Sequence, residues 1–227
     1  MARWGMTIDL DRCNGCQGCE IACREENNLP VGGPEAAREG RTISWLQVRT
    51  ELHGTWPDVE AGFMPMLCMQ CDHPPCVRVC PTGATMIDEE GLVGQIYPRC
   101  IGCRYCANAC PYTVKFFNWR KPVYPESTLE GLNPDVSMRP NGVVEKCTFC
   151  HHRLQSARDE ARAEGRPLRE EDYVPACVEA CPTDAMAFGD LDNPTHRVHE
   201  LAEDPRAFRK FEELGTEPKV YYLSVKR

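Results

Sequence analysis

A chain of 227 residues suits one large domain or two small ones, and a hydrophobic content of 42% leaves only a modest apolar core. A net charge of −8 argues against a nucleic-acid partner, which would require a basic face. Sixteen cysteines in so short a chain mean that something other than apolar side chains organises much of the interior.

Residues 1–10, MARWGMTIDL, carry no basic region, apolar stretch or cleavage site, and no Arg-Arg pair occurs in the chain. Export would therefore be expected to depend on another chain or on a signal already removed. No apolar run approaches the roughly 18 residues of a membrane helix, so no transmembrane segment is expected here. Residues 5–10 read as a short strand leading into a first cysteine run, Cys13, Cys16, Cys19 and Cys23. Residues 31–63 look like an insertion laid over the core, with strand-like alternation over 42–50 and a turn at 53–58.

The second run is Cys68, Cys71, Cys76 and Cys80, closed by Pro81, with its middle gap widened by the DHPP of residues 72–75. Residues 83–97 then read as a β-hairpin that delivers the chain to the third run, Cys100, Cys103, Cys106 and Cys110, followed by Pro111. Residues 114–119 suggest another short strand, and the proline-rich 121–142 a surface insertion. The fourth run is split: Cys147 and Cys150 precede a helix-forming stretch at 153–164, expected to be exposed, and Cys177 and Cys181 with Pro182 follow it. The extension 191–227 offers two helix starts, at Asn193-Pro194 and Asp204-Pro205, and a closing strand over 220–225.

Three chemistries compete for these thiols. Disulfides cannot easily join neighbours two or three residues apart. Structural zinc uses C-x2-C pairs divided by a longer loop. The C-x2-C-x2-C-x3-C-P spacing of Cys100–Pro111 is instead the bacterial ferredoxin run, in which three thiolates hold one [4Fe–4S] cluster and the fourth reaches another. Sixteen cysteines fill four such sites, with no thiol left as a nucleophile and no iron left open to substrate, so no catalytic residue is expected.

Runs that exchange their fourth cysteines make two-cluster units, and the simplest pairing joins second with third and first with fourth. The expected ligand sets are Cys13, Cys16, Cys19 and Cys181; Cys23, Cys147, Cys150 and Cys177; Cys68, Cys71, Cys76 and Cys110; and Cys80, Cys100, Cys103 and Cys106. The implied fold is α+β: two intertwined ferredoxin-like units, residues 1–30 with 143–190 and residues 64–120, plus the two insertions and the C-terminal extension.

The motifs CMQCDHPPCVRVCP at 68–81, CIGCRYCANACPY at 100–112 and EKCTFC at 145–150 resemble the iron–sulfur electron-transfer subunits of molybdopterin oxidoreductases. That group includes dimethyl sulfoxide, polysulfide, thiosulfate, tetrathionate and nitrate reductases. FGDLDNP at 188–194 and KVYYL at 219–223 are similar to the polysulfide reductase branch. The stretch 132–150 is similar to the ferredoxin subunits of alternative complex III and menaquinone reductase.

The resemblance implies four [4Fe–4S] clusters, with Cys103 kept where some relatives hold a [3Fe–4S] centre. It also implies two partners, a molybdenum or tungsten catalytic subunit near the Cys13/Cys181 cluster and a quinone-binding membrane anchor near the Cys80/Cys100 cluster. The chain would then be membrane-associated through those partners in a respiratory complex and not an enzyme by itself, with a periplasmic face expected and a cytoplasmic face as the alternative. A quinol-oxidising or menaquinone-reducing complex and a freely diffusing polyferredoxin are the competing readings.

Other residues invite weaker expectations. His73 should shape its loop, and His196 and His199 should face solvent. His151 and His152 either start a helix or donate toward a cluster. Arg12, Arg24, Arg78, Arg99, Arg104 and Lys146 stand close to ligand cysteines, where positive charge would raise a reduction potential. Trp45, Trp56, Phe116, Phe117 and Trp119 either line an interface or pack around the clusters.

Overall fold

Trp4, Met6 and Ile8 are buried together with the residues between them, so the first strand is covered on both faces and the main sheet is built around it. In the computed structural model, which describes residues 2–226, this strand is β1 (Trp4–Asp9). There follow α1 (Gly18–Glu26), α2 (Pro34–Arg38), β2 (Leu46–Thr55), β3 (Asp58–Leu67) and α3 (Pro75–Arg78). The middle of the chain supplies β4 (Thr85–Ile87), β5 (Val93–Gln95), α4 (Tyr105–Asn108), β6 (Phe116–Phe117) and β7 (Val144–Glu145). The last third holds α5 (His151–Ala163), α6 (Ala176–Glu179), β8 (Met186–Asp190), α7 (Arg197–Ala202), β9 (Ala207–Phe208) and β10 (Val220–Leu223).

The arrangement is α+β, with one four-stranded sheet and three small antiparallel pairs. In the main sheet, ordered β8-β1-β10-β9, β1 runs antiparallel to β8 with Met6 opposite Phe188, and parallel to β10 with Met6 opposite Val220. Its apolar side packs Trp4 flat on Phe188 at 5.8 Å between centroids, while Tyr173 meets both rings edge-on at 4.9 Å. The Tyr173 hydroxyl donates to the carbonyl of Phe149, which ties this aromatic group to the loop between Cys147 and Cys150.

The cysteine runs share one backbone device. In the first C-x2-C step of each run the residue before the second cysteine has a left-handed φ: +71° at Gly15, +46° at Gln70, +71° at Gly102 and +56° at Phe149. That reversal turns the chain sharply between the two thiols and brings them to the same side of the loop. The third cysteine of every run (Cys19, Cys76, Cys106, Cys177) is the second residue of a helix. Pro81, Pro111 and Pro182 follow helices of four residues each, whereas the first run lacks that proline and its helix α1 continues for nine, carrying Cys23 within it.

Several expectations need correction. The insertion over 31–63 contains a ten-residue hairpin pair, β2 and β3, with its turn at Thr55–Asp58, where the sequence predicts one strand only. Its distal half is exposed, Trp56 at 89% and Leu52 at 70%, so it projects from the core and does not cover it. Helix α5 is not an exposed helix throughout, because Leu154, Ala157 and Ala161 bury one face. Of the two tail helices only the first forms, displaced to α7. Asp204-Pro205 instead leads through a turn, Ala207 N to Asp204 O at 2.8 Å, into the edge strand β9.

The loop 121–142 is pinned from inside. Arg139 and Glu145, 1% and 0% exposed, form an ion pair at 3.0 Å. Trp45 Nε1 and Asn118 Nδ2 also donate to that carboxylate, and Arg139 donates to the carbonyls of Ser137 and Asn28. Removing only the guanidinium would strand a buried carboxylate. Arg139→Met should cost roughly 3–5 kcal/mol of stability by denaturant midpoint, while the Arg139→Met/Glu145→Gln pair should cost clearly less.

Candidate iron–sulfur centres

None of the sixteen cysteines is in a disulfide, all are buried or half-buried except for Cys16 and Cys103, and cysteines from distant parts of the chain come together. Cys13, Cys16 and Cys19 line one cavity together with Cys181. Cys68, Cys71 and Cys76 line another with Cys110. Cys23, Cys147, Cys150 and Cys177 are all buried, and each of the last three would repel a charge on Cys23. In the remaining set Cys100 and Cys106 pack beside Val93 and Val144, while Cys103 is exposed. Helix α3 packs against α4, which sets the end of α3, just before Cys80, beside the third run.

Burial dominates the electrostatics of the bare thiols. It pushes Cys19, Cys71 and Cys147 up to about 12 and Cys76 to about 11, with neighbouring thiols adding to the rise. Cys80 is the exception. Burial is the largest single influence and raises it, but the amides of Thr85, Thr82 and Ala84 and the Thr82 hydroxyl together outweigh it and hold the thiol at about 7.

The same device recurs after each CP pair. A left-handed residue (Gly83 at +63°, Thr113 at +55°, Asp184 at +51°) turns the next amides back toward the fourth cysteine. Thr85 N lies 3.4 Å from Cys80 Sγ and Ala185 N lies 3.3 Å from Cys181 Sγ. Within the fourth run, Phe149 N is 3.4 Å from Cys147 Sγ. Soft sulfur donors gathered together, most of them recessed from water and met by backbone N–H groups, are what a thiolate-ligated iron–sulfur cluster requires. Among the described residues no three His, Cys, Asp or Glu side chains converge on the spacing of a single metal ion.

The side chains around the thiols differ from expectation in instructive ways. His152 lies 2.5 Å from Glu26 and His151 lies 3.5 Å from Asp88, so both engage carboxylates at the start of α5. The amide that approaches sulfur is Asn27, whose Nδ2 is 3.8 Å from both Cys23 and Cys150; its position four residues after Cys23, at the end of α1, is the one signal the sequence offers for it. His73 is 3.5 Å from Glu217, a contact that joins its loop to the C-terminal extension. His196 and His199 are half-buried and not freely solvent-facing: one accepts from Asp190 N at 3.0 Å and the other meets Leu191 O at 2.6 Å.

The basic residues divide likewise. Arg104 stacks over Phe117 and Trp119 at 5.2 and 4.7 Å, and Arg24 donates to the carbonyls of Pro30 and Ile43. Lys146 is fully buried. Lys115, which sequence reasoning passes over, is also buried and lines the cavity of Cys68 and its partners. Of the aromatics, Trp45 is buried and Trp56 exposed.

Two family models described as 4Fe-4S dicluster domain match residues 59–130 and 99–185. Over 98% of its length the chain is 53% identical to the menaquinone reductase iron–sulfur cluster-binding subunit of Nitratidesulfovibrio vulgaris, covering 89% of that protein. The chain belongs to the 4Fe–4S dicluster iron–sulfur subunits. It is also 37% identical to the putative dimethyl sulfoxide reductase iron–sulfur subunit of Halobacterium salinarum over 99% of its length, covering 80% of that protein. It is 39% identical to a selenate reductase subunit of Mesobacillus selenatarsenatis over 98% of its length, covering 72% of that protein. The two matched segments take in the second, third and fourth cysteine runs, and the relatives extend the likeness through the first. As a member of this family, with sixteen cysteines, the chain carries four [4Fe–4S] clusters and serves electron transfer.

The end of α1 next to Cys23 and Cys150 is braced by one ion pair. Hydrogen bonds from Arg153, aided by His152 and opposed by burial, hold the Glu26 carboxyl at about 2. An unfolded glutamate titrates at about pH 4.3, so this depressed group contributes its full stability above that value and loses it as pH falls toward 2. Glu26→Gln should therefore cost on the order of 1 kcal/mol at pH 7. Denaturant midpoints should show that deficit constant from neutral pH to about 5 and shrinking below it.

Proposed function

We propose that this chain is the electron-transfer subunit of a quinone-linked respiratory complex, working between a molybdopterin catalytic subunit, with molybdenum or tungsten, and a quinone-binding membrane anchor. The observation that carries the reading is the likeness, at 53% identity over nearly the whole chain, to an iron–sulfur subunit named for menaquinone reduction. The relatives named for dimethyl sulfoxide and selenate reduction support the molybdopterin side of the proposal. That same 53% match favours a menaquinone-reducing complex as the particular setting.

The ligand sets proposed are Cys13, Cys16, Cys19 and Cys181; Cys23, Cys147, Cys150 and Cys177; Cys68, Cys71, Cys76 and Cys110; and Cys80, Cys100, Cys103 and Cys106. Two shared cavities and the mutual repulsion among the buried thiols support this grouping. Residues 1–30 with 143–190 would form one unit and 64–120 the other, interlocked through the exchanged fourth cysteines. Pairing of β1 with β8 and of α1 with α6 supports the first, and packing of α3 on α4 the second.

When bound, the clusters take up and pass on one electron at a time. The protein's part is to hold each thiolate, aim amides at sulfur and keep water out, so that no substrate is turned over on this chain alone. Cys16 and Cys103 are the two exposed thiols, and they lie in the sets proposed for the catalytic and anchor ends respectively. No helix among the described residues is long and apolar enough to cross a membrane, so attachment would come through the anchor, on the periplasmic face if the catalytic subunit is exported.

Two experiments test this. Purification from its host should bring a large molybdopterin protein with the chain through a high-salt wash, and added quinol should change the cluster EPR signals; a chain that elutes alone is a diffusing polyferredoxin. Separately, Cys181→Ser should perturb the EPR signal that Cys16→Ser perturbs, with a loss of about four irons. If it alters the signal changed by Cys150→Ser instead, the grouping is wrong.

A further inference from the structure

Lys115 and Lys146 are buried charges without a counter-charge. Lys146 is 0% exposed and Lys115 is 8% exposed. Lys146 Nζ donates to the carbonyls of Val93 and Cys147, and Lys115 Nζ to Thr85 Oγ1 at 3.2 Å and Gln95 Oε1 at 3.4 Å. All four acceptors are neutral. Among the described residues neither lysine forms an ion pair, whereas buried Lys219 has Asp72 at 3.1 Å. An enclosed ammonium group is costly unless an anion faces it.

The missing anion has an evident place. Both lysines line the cavity shared by Cys68, Cys71, Cys76 and Cys110. Cys76 packs against Val93, whose carbonyl takes the Lys146 ammonium, so that charge lies beside the Cys76 thiol. The cavity of Cys13, Cys16, Cys19 and Cys181 is lined by no lysine or arginine. The two sites therefore have the same donors, and only one of them is lined by fixed positive charge.

We propose that Lys115 and Lys146 are fixed counter-ions of the cluster held by Cys68, Cys71, Cys76 and Cys110, and that they raise its reduction potential above that of the Cys13/Cys16/Cys19/Cys181 cluster. Four thiolates outweigh the positive charge of an oxidised cubane core, so the bound group is an anion. Reduction adds one further negative charge. Two buried ammonium groups lining the same cavity stabilise the reduced form more than the oxidised one. These lysines are positioning residues for the electron, and the proposal rests on the ligand sets given above.

The test is an EPR-monitored redox titration of the full chain with its clusters in place, on Lys115→Gln, Lys115→Arg and Lys146→Met. Lys115→Gln keeps a polar side chain beside Thr85 and Gln95 but removes the charge. It should lower the midpoint potential of one signal, the one that Cys71→Ser also alters, and leave the other three in place. Lys115→Arg should stay near the wild-type value, and Lys146→Met should move the same signal downward together with that of the cluster held by Cys147, whose carbonyl Lys146 also contacts. The proposal is overturned if Lys115→Gln retains full iron and shifts no potential, or if Lys115→Arg shifts it as far as Lys115→Gln does. Should Lys146→Met shed iron, the Lys115 pair still decides. A shift confined to a signal that Cys71→Ser leaves alone would instead refute the ligand sets, which separates the two failures.

Discussion

Backbone amides turned onto cysteine sulfur are the interaction on which this fold depends. A thiol enclosed by protein resists ionisation, as Cys19, Cys71 and Cys147 show, yet iron binds the thiolate. The chain meets that demand with local geometry. Left-handed residues at Gly15, Gln70, Gly102 and Phe149 turn the first C-x2-C step of each run, and those at Gly83, Thr113 and Asp184 bring the following amides back over the fourth sulfur. Cys80 shows how far such donors alone can favour the anion. The short strands and four-residue helices between the runs hold little apolar surface of their own, so the bound clusters supply what a larger core would otherwise provide.

Much of this was legible in the sequence because thiolate ligation imposes spacing. The runs, the trailing prolines, the strand after each CP pair and the β4–β5 hairpin all follow from short-range rules acting within a dozen residues. The missing proline after Cys23 even announces the longer helix α1, since nothing there stops the turn that Pro81, Pro111 and Pro182 stop elsewhere.

What was not legible depended on distant packing. Residues 58–67 mix Gly, Pro and charged side chains and carry weak strand propensity, yet they form β3 because β2 lies beside them in register from Leu46 to Thr55. Asp204-Pro205 has a sound helix-start signature that is overridden when Ala207 and Phe208 pair with β10. His196 and His199 are polar enough for the surface, but backbone groups at Asp190 and Leu191 claim their ring nitrogens. Lys115 reads as one more charged residue in a strand; only the fold discloses that it and Lys146 face the same four thiols.

The central claim is that every cysteine of this chain is a corner ligand of an iron–sulfur cubane. Iron and acid-labile sulfide counted on freshly prepared, anaerobic protein test it most directly. The account predicts about sixteen of each per chain. A preparation with zinc in place of iron, or with far fewer irons and no labile sulfide, would contradict it.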